Sequence, residues 1–520
     1  MNNLLDKIKK LHWVWFWSGN WPLLDCTLQR DKDFEKEFSK IAGINPRISI
    51  DFFKDGIITA YHCQEEYNRL EKFFIAKFRK NPDFIKFSIA DHSKKTEADL
   101  KELQKTSKLN FSEFSNKEIS KIFLQARKYF VYNSAIDHYA WYIEKFFIPK
   151  LQSIITKYLS ALLKPSLLPL YLTTLVTPKK QSAVFIERKA MFNIVKSIKE
   201  NRSLVGEIKT GKCKTLKYLK NKYPIFFNNV KKHWQKYNWL PVLVNNPPQS
   251  LEDIWQEISN LVKNNIVFKI ESRRIGDAFD EKMSQKAKRI VVELKLNKNE
   301  IKLVDSLRDV AFIRTEDNAV MSWSSYLVMP LYQEIAKRIG INYYQLKEFA
   351  PEEVVNYLLS SNKVHLSKVK ERLKLSCYVV YKGKREIFTG DKAKNLRKII
   401  DKQIAKTTSV LIDSKSVQGT VANLGKSIGN ARVVFSSKDA SKIKKGEILI
   451  APATSADFVL AMRKAGAILT ELGGITSHAA VVSREFNIPC IVGVNNATKI
   501  FRTGDRVEVD ANKGIVRKIK

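Results

Sequence analysis

Apolar positions fall into three textures along the chain. Near the N-terminus, Ile48–Phe53 and Ile57–His62 are apolar-rich runs separated by Lys54-Asp55-Gly56, and Asp-Gly between such runs predicts a β-hairpin. From about residue 65 to 165 the spacing is helical, with Tyr139, Ile143 and Phe146–Phe147 recurring at three- and four-residue steps. Pro165–Val176 breaks this pattern and reads as a buried connection or short helix. Helical spacing resumes over 182–275, interrupted at Leu240-Pro241 and at Asn245-Asn246-Pro247-Pro248. Ser250-Leu251-Glu252-Asp253 opens the next helix as a capping box, with side-chain oxygens placed for the first free N–H groups. Helices continue over Asp305–Leu358, and Cys377–Tyr381 with Glu386–Phe388 predict a second hairpin around Lys382-Gly383-Lys384. Gly390–Thr407 is polar and basic and reads as a linker.

After residue 411 glycines become frequent, and short β-branched runs alternate with helical stretches at Ser455–Ala465 and His478–Phe486. The runs are Gly419–Ala422, Arg432–Phe435, Glu447–Ile450, Ala467–Thr470, Pro489–Val492, Arg506–Val509 and Ile515–Ile519. That alternation predicts a compact β/α domain. The predicted fold is therefore multidomain: a mostly α-helical N-terminal and central body with short β-hairpins, followed by a C-terminal β/α domain. Its divisions are 1–165 (mixed, then helical), 166–391 (helical, ending in the hairpin), 392–410 (linker) and 411–520.

The chemistry concentrates in Thr470-Glu471-Leu472-Gly473-Gly474-Ile475-Thr476-Ser477-His478-Ala479-Ala480-Val481-Val482-Ser483-Arg484-Glu485. A strand ends near Thr470, a two-glycine turn follows, and a helix begins with Thr476 or Ser477 as its N-cap. His478 then lies in the first helical turn, where unpaired N–H groups and the positive end of the dipole favour a bound anion. The same field disfavours imidazolium, which keeps the ring neutral and nucleophilic near neutral pH.

Composition narrows the remaining possibilities. Five cysteines are dispersed without a CxxC pair and seven histidines form no HxxxH or HExxH pattern, which points to a reducing cytoplasm and to no metal site. No uncharged apolar stretch reaches membrane-spanning length, and the aromatic N-terminus lacks a small-residue cleavage site, so neither a membrane span nor a signal peptide is expected. The net charge of +38 raises the question of nucleic acid. However, the C-terminal domain and the rest carry it at the same density, roughly 0.07 per residue, where a binding face needs a local excess. The tryptophans Trp13, Trp15, Trp17 and Trp21 could stack on bases, but a clustered aromatic core explains them better.

Gly473-Gly474-x-Thr476-Ser477-His478-Ala479-Ala480-Val481-Val482-x-Arg484, followed by Ile488-Pro489-x-Ile491-Val492-Gly493, resembles the phosphohistidine motif of the phosphoenolpyruvate-utilising enzymes. That family includes pyruvate phosphate dikinase, phosphoenolpyruvate synthase and rifampicin phosphotransferase. The resemblance extends over 417–520, through Gly419-Thr420-Val421-Ala422, Gly446–Ile450, Ala453–Asp457 and Gly504–Asp510. It implies a swivelling domain whose catalytic histidine, His478, takes a phosphoryl group at one site and delivers it at another. Gly473, Gly474, Thr476, Ser477 and Arg484 fall at the phosphate-binding positions. Arg484 lies six residues beyond His478, so helix geometry does not place it over the ring, and an ion pair is the other reading.

The departures matter as well. No barrel domain follows the histidine domain in this sequence, and residues 1–400 show no glycine-rich phosphate loop or carboxylate set of an ATP-grasp domain. Asp305–Leu358 is weakly similar to the helical segment that precedes the histidine domain in these dikinases. The expected function is thus a cytoplasmic phosphotransferase component, a transferase of phosphorus-containing groups. Its donor, Mg2+ with a nucleotide or phosphoenolpyruvate, is expected on a separate ATP-grasp or other subunit, and its acceptor is a small molecule or a protein. The alternatives are a non-enzymatic phosphocarrier or regulator, and a nucleic-acid-associated protein that reuses the domain as scaffold.

Overall fold

A computed structural model describes residues 2–19, 24, 32–54, 57–242, 247–264, 278–360, 364–408, 416–435, 437–440, 442–454 and 458–519. The first hairpin forms as the pattern predicts: β2 (Ile48–Lys54) and β3 (Ile57–Cys63) pair antiparallel with Lys54 opposite Ile57. Its turn residues Asp55 and Gly56 lie outside the described residues. The second hairpin, β4 (Ser376–Tyr381) and β5 (Lys384–Thr389), closes through Lys382 and Gly383, both at positive φ. Positive φ at both central residues matches strand twist in a two-residue turn.

These two hairpins are one sheet. With β1 (Trp13–Gly19) the order is β1-β3-β2-β4-β5, antiparallel throughout, and β2 lies directly against β4. The division expected at 165/166 therefore does not separate folding units. The pairing of residues 48–54 with 376–381 is non-local, and local patterning carries no trace of it. Trp13 is buried under this sheet, its indole N–H donating to the Ile8 carbonyl at 3.1 Å, which is the core role expected for it. Trp21 lies outside the described residues, and Trp15 and Trp17 are strand residues of β1.

The expected linker 392–410 is a correction. Gly390–Thr408 is a helix that packs on this sheet, and residues 409–410 lie outside the described ones. Ala393, Leu396 and Ile400 are buried with Ile50, Cys377 and Val379. Three apolar residues at helical spacing are enough to dock the helix, and the surrounding lysines conceal them in a composition reading.

The body is built on two long antiparallel-packed partners from distant parts of the chain. We number the helices that frame the site as α1 (His92–Thr106), α2 (Asn116–Ala161, 46 residues), α3 (Leu168–Leu175), α4 (Ala183–Glu200), α5 (Pro224–Tyr237), α6 (Leu251–Lys263) and α7 (Lys298–Arg338, 41 residues). Capping boxes start the two long helices at Ser115/Glu118 and Asn297/Glu300, and another starts α6 at Ser250/Asp253, as expected there. Tyr139, Ile143 and Phe147 are fully buried between α2 and its neighbours. Helices α4 to α6 form a separate layer beside this bundle.

The C-terminal domain is the β/α unit that the alternation predicts. Its eight strands run β6 (Ser416–Gln418), β7 (Thr420–Asn423), β8 (Lys426–Val433), β9 (Ile448–Ala451), β10 (Ala467–Thr470), β11 (Cys490–Val492), β12 (Arg506–Asp510) and β13 (Ile515–Lys518). Their spatial order is β6-β13-β12-β8-β9-β10-β11-β7, with the central neighbours β8 to β11 parallel. Helices α8 (Val459–Lys464) and α9 (His478–Glu485) cover one face, and that face packs against α4 to α6 in one continuous apolar cluster.

Candidate active site

The loop from β10 to α9 is shaped by its glycines and a hydroxyl. Gly473 has φ +99, and a Cβ there would stand 2.8 Å from the Ser477 Cβ. The Ser477 N–H donates to the Gly474 carbonyl at 3.0 Å, and its hydroxyl, as N-cap of α9, accepts from the Ala480 N–H at 3.4 Å. Of the two caps that the sequence allows, the structure uses Ser477. Arg484 braces the same loop: one guanidinium nitrogen donates to the Ile475 carbonyl at 2.6 Å and to the Ala422 carbonyl at 3.2 Å. It is buried, with its other two nitrogens lacking hydrogen-bond partners, and burial pulls its pKa down to about 10. Its observed contacts are therefore those of a backbone clamp under the loop. Cys490 lies in the core as expected, and burial pushes its thiol up to about 12.

His478 is the first residue of α9 and is only 5% exposed. Its Nδ1 lies 3.3 Å from the Thr454 hydroxyl, whereas Nε2 has no hydrogen-bond partner. Burial, and after it the positive charge of Arg314, hold the ring's pKa down at about 3. The neutral imidazole expected from the sequence is present, but desolvation is its main cause. Thr476 is fully buried with its hydroxyl unpartnered.

The wall facing this loop belongs to the helical body. A Cβ on Gly474 would run into the Glu144 carboxylate of α2, so this glycine admits the body to the loop. Glu144 is buried, one oxygen without a hydrogen-bond partner and 3.7 Å from Nε of Arg314 on α7. Arg314 also pairs with Asp137, one helical heptad before Glu144 on α2. Burial works against the guanidinium charge, but Asp137 and Glu144 outweigh it and raise the pKa. One turn along α7, Asp317 lies 3.3 Å from Nε2 of His92 on α1, and burial raises its pKa despite that partner.

Gly473, Gly474, Thr476, Ser477 and His478 thus form one loop-and-cap unit, and Arg484 supports it from behind. Sequence reasoning missed Thr454, Glu144, Asp137, Arg314, Asp317 and His92. Arg314 and Asp317 had a signal: they are charged residues at core phase inside a long apolar-striped helix. Among the described residues, no group of three or more His, Cys, Asp or Glu side chains could hold a metal ion, and no helix is long and apolar enough to cross a membrane.

The sequence of this region is similar to known proteins. Residues 443–514 match the family described as "PEP-utilising enzyme, mobile domain". The C-terminal part is 43% identical over 128 residues to a probable phosphoenolpyruvate synthase of Staphylothermus marinus, covering 24% of this chain and 15% of the relative. It is 46% identical over 102 residues to the phosphoenolpyruvate synthase of Pyrococcus furiosus, covering 20% and 12%. A third match, to the phosphoenolpyruvate synthase of Aquifex aeolicus, is 46% identical over 86 residues and covers 16% and 10%. The chain therefore spans only a small part of the curated relatives it matches, and the likeness lies in the C-terminal region that contains His478.

Proposed function

We propose that this chain is a phosphotransferase component in which His478 carries a phosphoryl group to an acceptor held against α2 and α7. The observation that carries this reading is the placement of His478 at the start of α9. Its Nε2 has no partner and is buried in a polar seam between the mobile domain and the helical body. With the Nδ1 proton donated to the Thr454 hydroxyl, the lone pair resides on Nε2. That nitrogen attacks the donor's phosphorus, and the electrons of the breaking P–O bond leave with the donor oxygen. In the second step the acceptor oxygen takes the phosphoryl group, the P–N bond breaks, and the electrons return to Nε2.

Arg314 contributes a fixed positive charge beside the ring, where low dielectric makes it count. In the conformation described, Nε2 is shut off from solvent, so loading takes place with the seam open. We place the donor, a nucleotide or phosphoenolpyruvate with its Mg2+, on a separate ATP-grasp or other subunit, because residues 1–400 carry no readable glycine-rich phosphate loop. The test is incubation of the chain with labelled ATP or labelled phosphoenolpyruvate, with and without cell extract. Acid-labile, base-stable label on His478 is expected, and label that survives His478→Ala would refute the proposal.

A further inference from the structure

The mobile domain meets the rest of the chain through two main faces that differ in kind, with a smaller contact of β7 on α3. Against α4 to α6 the face is an apolar core shared with the domain itself: Phe185, Trp255 and Ile258 lie in one cluster with Met462, Val482 and Phe486. Buried ions pin it. Arg463 of α8 reaches Glu187 at 2.7 Å and Glu257 at 3.2 Å. Arg188 holds Glu257 at 2.6 Å, and His233 holds Glu187 at 3.0 Å. Burial opposes the Glu187 carboxylate, yet Arg463 and His233 bring it down to about 2. At the edge, the N–H and hydroxyl of Ser182 donate to Glu485 at 3.1 and 2.7 Å. Separating such a face strands several charges and exposes apolar surface at once.

The face toward α2 and α7 is the reverse. Ile475 is the one residue of the mobile domain that joins the bundle's large apolar cluster among the described residues. Buried polar atoms without hydrogen-bond partners stand on both sides: Nε2 of His478 and the Thr476 hydroxyl on one, a Glu144 oxygen and Nε of Arg314 on the other. Nε2 of His478 and the Thr476 hydroxyl each cost about 1–3 kcal/mol while water is kept out, and opening returns them to water, whereas Glu144 and Arg314 still face each other at 3.7 Å. Outside this seam, the layer of α4 to α6 touches the bundle along α7, where the turn Leu240–Val242 and α4 pack on it and Trp239 lies against Trp323.

We infer that the mobile unit is composite: residues 183–263 travel with residues 416–519 as one body, and the seam against α2 and α7 is the one that opens. This deepens the proposed function, since it names the part that moves when His478 is loaded. Arg463 is then a positioning residue that binds the helical layer to the carrier, and the layer keeps the apolar face of the carrier covered throughout the excursion.

The test uses the full chain and needs no phosphoryl donor, so its failure is separable from failure of phosphorylation. Diethyl pyrocarbonate is the probe, with its adduct on His478 read by peptide mass spectrometry. Glu144→Cys with Gly474→Cys places thiols across the seam, and Glu257→Cys with Arg463→Cys places them across the helical layer. Each pair is bridged by a short bis-maleimide and compared with its own unbridged form. Bridging the seam is expected to slow His478 modification at least about tenfold, while bridging the layer leaves the rate within about twofold. Equal slowing by the layer bridge, or no slowing by the seam bridge, overturns the inference. Ser182→Cys with Glu485→Cys serves if the layer pair does not fold. Hydrogen exchange on the unmodified chain gives the second reading: protection of 183–200 and 251–263 should hold under conditions where His478 reacts, and its loss there would equally overturn the inference.

Discussion

Arg314→Met tests whether the body truly provides the electrostatic wall of the site. The substitution keeps the stem of the side chain and removes the guanidinium that Asp137 and Glu144 share. Asp137 is one-third exposed, and water replaces its partner at a cost of under about 1 kcal/mol. The side chain of Glu144 is 4% exposed and faces Gly474, so its charge would be stranded. Breaking a buried pair this way costs about 3–5 kcal/mol. Adding Glu144→Gln removes the stranded charge at nearly constant shape, so the double variant should recover most of the loss, with a coupling of at least about 1.5 kcal/mol. The assay is urea unfolding at neutral pH, followed through the transition of the helical bundle, because a chain with several cores need not unfold in one step. Imidazole NMR gives an independent readout. Arg314 helps to depress the His478 pKa, so its removal, with Glu144 left negative, must move the titration upward from about 3. A loss below about 1 kcal/mol without rescue by Glu144→Gln, together with an unmoved His478 titration, would refute the reasoning.

Three further outcomes follow from the same site. Thr454→Val should slow phosphoryl labelling of His478 about 10- to 100-fold with little loss of stability, because nothing then holds the proton on Nδ1; labelling at the wild-type rate would contradict this. For the pH dependence, the folded pKa of His478 lies below the unfolded value, so its contribution is present above about 6.5 and is lost as pH falls toward 3. Between pH 6.5 and 5 that amounts to about 2 kcal/mol, and His478→Gln should remove this increment from the urea midpoints measured at pH 7 and 5. RNA and DNA titrated across a salt series should show no submicromolar affinity at physiological salt. Tight binding with a steep salt slope would favour the nucleic-acid reading of the +38 charge instead.

What the sequence disclosed follows from the range of the forces involved. The β10–loop–α9 unit was legible because its determinants are adjacent: Gly473 relieves a local clash, Ser477 caps its own helix, and His478 follows at once. Both hairpins were legible for the same reason. The β2–β4 pairing was not, since it joins segments more than three hundred residues apart. The helix at Gly390–Thr408 was hidden because the few apolar residues that face the sheet, Ala393, Leu396, Ile400 and Ile404, sit amid lysines that dominate the composition. Glu144 was invisible as a site residue because what defines it is contact with the loop at Gly474, whereas Arg314 showed only as a charge at core phase in α7. The depressed pKa of His478 was expected from the helix terminus, yet burial under the body supplies most of it.

The most direct measurement is the chemistry of His478 itself. The chain is incubated with labelled ATP or phosphoenolpyruvate in the presence of cell extract, then digested, and the phosphorylated peptide is mapped by mass spectrometry under alkaline conditions. The account predicts acid-labile, base-stable phosphate on Nε2 of His478 and none in His478→Ala. Phosphate on any other residue, or equal label in the alanine variant, would contradict it.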